Sequence, residues 1–167
     1  SGDSIAIGKN ALDSITPGSA SFNVGISTDA GTSITTGDNN ICVGRLTGSS
    51  LTFNSNNVFI GFSAGTNAVS NNSVMLGYRA GEAVTSATGN IFIGYDCGKD
   101  QTESGATVIG YEAARNLNGR ENTVLGFQAL KGNGSSLAAW RNVAIGYKAM
   151  TVITTGDNNV AVGLNAG

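Results

Sequence analysis

Apolar and polar positions alternate in short runs that return along the whole chain. Each run is a triplet with apolar first and third residues followed by a glycine, as in Asn57 to Gly65 (NVFIGFSAG). Alternation is typical of a β-strand, and a repeat of sixteen to twenty residues indicates a solenoid in which each copy forms one coil. We therefore predict an all-β parallel β-solenoid of about ten coils, a single domain over residues 1–167. The glycine after each triplet marks the copies: Gly8, Gly25, Gly44, Gly61, Gly77, Gly94, Gly110, Gly126, Gly146 and Gly163.

Turns and a second apolar position complete each coil. Clusters such as Gly37-Asp38-Asn39-Asn40 precede the triplets. Asn, Asp and Gly tolerate the left-handed conformation, so these clusters separate the strands. A weaker apolar position seven residues past the marker predicts a return strand, and with it a flattened, two-sided coil. Its members are Ile15, Leu51, Val84, Leu117 and Ile153.

The two faces of the strand receive different predictions. The first and third residues of each triplet share one face, which we predict to be the interior of the coil. The middle residue then points away from the coil. A row of apolar middle residues left in water would be a large exposed patch, which on soluble proteins marks an interface. The sequence therefore predicts a subunit interface along Phe59, Met75, Phe92, Val108 and Val124.

An aromatic residue follows the marker glycine in six successive copies. Its strict register favours a structural ladder along one coil edge, and the alternative is a platform on which sugars stack. Three residues past the marker the chain has alanine in most copies, which indicates close packing at that corner. The aromatic positions are Phe62, Tyr78, Tyr95, Tyr111, Phe127 and Tyr147.

Composition and charge exclude several classes of function. The chain is 40% hydrophobic, only 12% charged and has a net charge of −2 with scattered Lys and Arg, which argues against nucleic-acid binding. The sequence contains no run of eighteen apolar residues, so membrane insertion is not predicted. There is no histidine, and Cys42 and Cys97 lie three coils apart, so we predict two free buried thiols, no cofactor and no metal site.

The acidic residues suggest one weak catalytic alternative. Asp96 and Glu112 occupy the same position in adjacent copies and would lie about 5 Å apart, near the spacing of a retaining glycosidase pair. Arg79, Gln128 and Lys148 share that column, so the favoured interpretation is a solvated charge ladder. A cation held by Asp96, Asp100 and Glu112 is a further alternative. We predict that the chain is not an enzyme.

The longest spacing between markers is the preferred place for ligand binding, because loops on a rigid scaffold can vary. It encloses the segment from Lys131 to Arg141, with the only tryptophan. Trp140, Arg141 and Lys131 are candidate contact residues for a glycan or a protein receptor. The alternative is that Trp140 folds back over its own coil. The other expanded spacing, from Gly25 to Gly44, carries no comparable anchor.

Several runs resemble two known families. NVFIGFSAG, NSVMLGYRAG, NTVLGFQAL, NVAIGYKAM and NNVAVGLNAG, with TTGDNN before the third and last copies, resemble the heads of trimeric autotransporter adhesins and the repeat regions of phage or phage-like tail fibres. The period and the aromatic column are closer to the tail fibres. The resemblance implies a left-handed parallel β-roll, assembled as a homotrimer with the middle residues near the shared axis.

The resemblance also implies a function and a location. We expect a piece of a longer fibrous protein, a tail-fibre segment that gives a rigid shaft or head for receptor binding and host attachment. It would be extracellular, on a virion or phage-like particle, or on a bacterial cell surface. The alternatives are an autotransporter adhesin head, a carbohydrate-active tailspike-like segment and a passive spacer. Partners would be two further copies of the chain and a cell-surface glycan or protein.

Overall fold

The chain folds into one ten-stranded parallel sheet. A computed structural model describes residues 3–133 and 138–167. Strands that are neighbours in sequence are neighbours in the sheet, so the chain winds as a β-solenoid of about nine turns and the all-β repeat prediction is confirmed. The strands are β1 (Ile5–Ile7), β2 (Val24–Ile26), β3 (Ile41–Val43), β4 (Val58–Ile60), β5 (Val74–Leu76), β6 (Ile91–Ile93), β7 (Thr107–Ile109), β8 (Thr123–Leu125), β9 (Val143–Ile145) and β10 (Val160–Val162).

Backbone hydrogen bonds join each coil to the next in a constant register. The amide of Ile91 donates to the carbonyl of Ala106 in the next coil at 2.9 Å, and the amide of Gly94 donates to Leu76 in the preceding coil at 2.8 Å. In the described residues all strands belong to this sheet, and the return side of each coil consists of turns and irregular chain, with an isolated β-bridge at Leu117. The predicted return strand is therefore wrong, although Leu51 and Val84 on that side are buried as expected.

The second copy is shifted by two residues from its predicted register. Gly25 lies in the middle of β2, paired with Ala6 and Cys42, so the marker position of this coil is Ser27. Glycine is needed inside this strand because a Cβ atom at residue 25 would lie 2.7 Å from Cγ of Leu12. The expanded spacing of nineteen residues consequently separates Gly8 from Ser27, and not Gly25 from Gly44.

The middle residues of the strands face the interior of their own coil. Phe59, Met75 and Phe92 are fully buried in the single chain, and Val108 and Val124 are nearly so. The prediction that they form a subunit interface is therefore wrong. Both strand faces are apolar, so alternation alone leaves open which one faces inward. The coil is narrow, and it holds one large side chain from each strand rather than two.

In most coils the middle strand residue and the residue four past the marker have complementary sizes. Where the strand supplies Phe59 or Phe92, the facing residue is glycine, and a Cβ at Gly98 would lie 2.8 Å from the Phe92 ring. Where the strand supplies Ala144, the facing residue is Met150, which is also buried. Most coils are thus filled by one larger and one smaller residue, whereas in the second coil Gly25 and Gly31 leave room for Leu12 of the first coil.

The two cysteines are free and buried, as predicted. Burial raises the pKa of the Cys42 thiol to about 12. Burial also raises the pKa of Cys97 to about 12, and its Sγ lies 3.2 Å from the carbonyl oxygen of Val108. Both thiols stay protonated near neutral pH and are poor nucleophiles. Among the described residues, no helix has the length and apolar character needed to cross a membrane.

A buried column of asparagines, which we call the asparagine ladder, lies directly before the strands. Asn57 donates through Nδ2 to Oδ1 of Asn40 at 3.0 Å and to the carbonyl of Ser70 at 2.8 Å, and its Oδ1 accepts from the amide of Ser73 at 3.1 Å. Such side chains satisfy buried backbone groups that the three-residue strands leave unpaired. The buried members are Asn23, Asn40, Asn57, Asn90, Asn122 and Asn142, and Asn159 continues the column as an exposed residue.

Gln101 replaces the missing amide where the ladder has Ala106. Its Nε2 donates to the carbonyl of Gly119, and the amide of Gly119 donates to its Oε1 at 3.1 Å. Other coils have Leu51 or Leu117 at the position of Gln101. Gln101→Leu is expected to lower the free energy of unfolding by about 1 to 3 kcal/mol, because the amide of Gly119 is left buried without its partner.

The matched variant Gln101→Leu/Ala106→Asn tests this explanation. Its asparagine would donate to the carbonyl of Gly119, as Asn122 donates to the carbonyl of Ala139 at 2.8 Å. Its Oδ1 would accept from the amide of Asn122, as Oδ1 of Asn122 accepts from the amide of Asn142 at 2.9 Å. Chemical denaturation followed by circular dichroism should show the double variant to be more stable than Gln101→Leu alone. Equal stability of the two variants would contradict the replacement role of Gln101.

Candidate functional site

The outward side of the sheet is a continuous apolar surface, which we call the outer face. It consists of the first and third residues of all ten strands, and only Thr107 and Thr123 among them are polar. These side chains are partly exposed or exposed in the single chain; Ile60 is 41% exposed and Leu125 is 47% exposed. A patch of this length on a soluble protein marks an interaction surface.

The aromatic ladder lies along one edge of the outer face. Its six rings stack in order, with centroids 4.9 to 5.4 Å apart and planes inclined by 6° to 12°. The rings are 40% to 45% exposed. Because ring faces cover one another, the ring edges face outward and a sugar has little aromatic face on which to stack. The guanidinium of Arg45 covers the Phe62 end of the stack at 5.8 Å.

A second exposed column, the turn column, lies along the opposite edge of the outer face. Its members precede each strand by two residues, and those after the first have positive φ, for example Asn72 at 55° and Gly89 at 68°. Phe22 is the one aromatic in this column and is 60% exposed. The turn column is Asp3, Phe22, Asn39, Asn56, Asn72, Gly89, Gly105, Glu121, Arg141 and Asn158.

Charged residues form an ion-pair ladder at another corner of the coils. Arg79 contacts Glu82 at 2.8 Å, and Asp96 lies 3.4 Å from Arg115. Asp96 is buried, and so is Glu112 in the next coil. The prediction of a solvated ladder is wrong on this point, because the flanking side chains of Arg115 and its neighbours cover the carboxylates.

Glu112 has the most extensive contacts in this ladder. Gln128 and Lys131 each donate to its Oε2 at 2.7 Å, and Arg115 donates to Oε1. Burial raises the pKa of this carboxyl, but the hydrogen bonds from Lys131 and Gln128 outweigh burial, so the pKa is lowered overall. Both carboxylates therefore have cationic partners within the chain, which disfavours the glycosidase pair.

Glu112 is expected to make stability depend on pH. A carboxyl with a lowered pKa in the folded state stabilises the fold above its unfolded pKa of about 4.3, and this contribution is lost as pH falls through the lower folded value. The difference in unfolding free energy between the native chain and Glu112→Gln should therefore be constant from pH 5 to 7 and shrink below about pH 4. Denaturation at several pH values measures it, with Glu103→Gln, an exposed carboxylate, as the control. A difference that grows towards low pH would contradict the assignment.

The three candidate contact residues of the long insertion do not lie together. Lys131 belongs to the ion-pair ladder, through Glu112. Trp140 is half-buried in a turn at another corner, and its ring lies 4.6 Å below the guanidinium of Arg120. Arg141 is exposed in the turn column. Residues 134–137, between Lys131 and Trp140, lie outside the described residues.

In residues 3–133 and 138–167, no group of three His, Cys, Asp or Glu residues could hold a metal ion. Comparisons with protein-family models, with curated proteins and with solved structures give no match for this chain. The fold itself defines the class, a parallel β-solenoid with short coils and one exposed apolar sheet face.

Proposed function

We propose that this chain is a segment of a homotrimeric fibre, a rigid shaft or head that serves receptor binding and attachment to a host cell. The fibre would be extracellular and would belong to a virion or phage-like particle. A bacterial adhesin head is the alternative from the same class. The left-handed winding implied by the resemblance to these families is part of the proposal.

The observation that carries the proposal is the outer face of the sheet. Eighteen of its twenty positions are aliphatic, since Thr107 and Thr123 are the exceptions. Complete burial of an aliphatic side chain contributes about 1.5 to 3 kcal/mol, so covering even half of these positions would strongly favour association. Three copies around one axis would bury three such faces together, and closed symmetry would leave no apolar face open.

A trimer also supplies a mechanism for attachment. Nine steps of about 4.8 Å between coils give a rod about 43 Å long. Three identical sites around this rod would gain avidity without any new contact, because the second and third binding events become intramolecular. We propose no catalytic role, since the partners of Asp96 and Glu112 come from the chain itself.

The assembly is tested by solution mass. Light scattering should give about three times 16.8 kDa for the native chain. Ile60→Lys/Ile93→Lys places charges on the outer face and should reduce the mass to that of a monomer, with the β-type circular dichroism retained. Asn67→Lys/Thr85→Lys adds the same charge on the return side and should remain trimeric. A monomeric or dimeric native chain would overturn the proposal.

The attachment role is tested on the native trimer. A glycan array and a cell-binding assay should give binding that exceeds that of the monomeric Ile60→Lys/Ile93→Lys variant at least tenfold, because avidity is lost with the trimer. In the trimeric chain, Trp140→Ala should weaken binding to the glycan or host cell if the insertion holds the ligand. Absence of binding to any glycan or host cell would leave a passive spacer and reject the attachment role.

A further inference from the structure

We infer that the aromatic ladder of one chain packs against the turn column of a second copy of the chain, at the same coil level. The inference rests on the proposed trimer and specifies which surfaces meet in it. The two surfaces differ from each other, so the contact is heterologous, and three such contacts close the ring.

The position of the two columns on the coil gives the first argument. The turn column and the ladder position flank the two outer strand positions, and the residues at all four positions are exposed or partly exposed in the single chain, as expected for the outward side. The turn column lies at one edge of the outer face and the aromatic ladder at the other. If three outer faces surround an axis, one edge of each chain meets the opposite edge of the next. Rotation about the axis preserves height, so residues of the same coil meet.

Residue sizes in the two columns are complementary at most coil levels. Where the ladder has Tyr95 the turn column has Gly89, and where it has Tyr111 the turn column has Gly105. The relation is reversed in the second coil, where the turn column has Phe22 and the ladder position has Thr28. At the levels of Asn56 and Asn72 the ladder ring also faces a residue smaller than itself. At the level of Phe127 the turn column has Glu121, which neither size pattern explains.

Three levels carry a cation in one of the columns, and at two of them the other column supplies a partner for it; at the third, Arg45 lies at the level of Asn39. In the first coil the turn column has Asp3 and the ladder position has Lys9, which could form an ion pair between chains. In the ninth coil the turn column has Arg141 and the ladder has Tyr147, a cation and an aromatic ring. Contacts of the latter kind contribute about 0.5 to 1 kcal/mol at exposed sites.

Contacts within one chain do not account for this complementarity. The two columns are separated by a strand about 10 Å long, at about 3.3 Å per residue. Phe22 adds a separate sign of function, because its ring is 60% exposed in a column where the other coils place mostly Asn or Gly. Contact with a neighbouring chain would bury this ring.

A cysteine pair tests the contact directly. Gly89→Cys/Tyr95→Cys places one thiol in each column of the same coil, and space is open at residue 89, where a Cβ meets nothing within 4 Å. A short bis-maleimide should convert this variant into a covalent trimer on denaturing gels. The native Cys42 and Cys97 are buried and should not react. Gly89→Cys/Tyr147→Cys, with thiols three coils apart, is the matched control and should stay monomeric on the gel.

The outcomes separate this inference from the proposed trimer. A variant with trimeric mass that gives no covalent trimer would overturn the inference and leave the trimer intact. Cross-linking of Gly89→Cys alone, or a covalent product that stops at dimer, would indicate contact between like surfaces and would also overturn it. A monomeric mass for the native chain would overturn both.

Discussion

Gly94→Ala is expected to lower the free energy of unfolding by more than about 4 kcal/mol. Gly94 has a φ of 141°, which side chains with a Cβ rarely adopt, and a Cβ there would lie 2.7 Å from the carbonyl carbon of Gly110. The strained backbone alone costs about 1 to 3 kcal/mol. The clash with Gly110 adds to it, because the neighbouring coil can move away only by breaking its own hydrogen bonds. Chemical denaturation at one fixed protein concentration measures the loss.

Two substitutions in the same coil system serve as controls for Gly94→Ala. Gly89→Asn should change stability by less than about 0.5 kcal/mol, since Asn72 and Asn56 have the same conformation in neighbouring coils. Ser27→Gly should stabilise the chain by about 1 kcal/mol, because it removes a Cβ from a marker position with a φ of 107°. If Gly94→Ala unfolds no more easily than Gly89→Asn, the close approach of successive marker positions is not a determinant of the fold.

The repeat was predictable from sequence because its strongest signals are local. The strand triplets, their spacing and the aromatic register follow from periodicity alone, and they place nine of the ten strands correctly. The predicted strand of the second copy lies two residues too early, because Gly25 resembles a marker glycine. Only the packing of Leu12 against Gly25 distinguishes the two positions, and that contact joins residues of different coils.

The inward face could not be predicted because both strand faces are apolar. Phe59 and Ile60 are both suitable for a core, and alternation fixes only that they point in opposite directions. Volume resolves the choice: a ring at residue 59 fits because Gly65 leaves room for it, and this pairing links positions six residues apart. The same pairing of large and small residues recurs along the chain, so an analysis of facing columns could have found it.

The asparagine ladder and the burial of Glu112 required the coil cross-section. Asn57 reads as a turn residue in sequence, and its use as a buried hydrogen-bonding residue depends on which carbonyls the next coil presents. Glu112 reads as one member of a charged column. Its cover by Lys131 and Gln128 depends on side chains from the following coil.

Phe92→Ala should lower the free energy of unfolding by about 3 to 5 kcal/mol, the usual cost of removing a fully buried ring. Phe92 fills its coil because Gly98 faces it, and a thin coil has few neighbouring side chains that could move into the space. Phe53→Ala removes an aromatic ring that is 68% exposed and should cost less than about 0.5 kcal/mol. Similar losses for the two variants would contradict the inward assignment of the middle residues.

A compensating pair tests the pairing of large and small residues more sharply. Gly98→Ala alone should destabilise by about 1 to 3 kcal/mol through overpacking against Phe92. Phe92→Val/Gly98→Ala reproduces the next coil, where Val108 faces Ala114, and Ala114 adopts a φ of 48° that matches 54° at Gly98. The double variant should therefore be more stable than the sum of the single effects predicts by at least about 1 kcal/mol. Additive losses would mean that the two positions do not share one volume, and the coil-by-coil account of the core would fail.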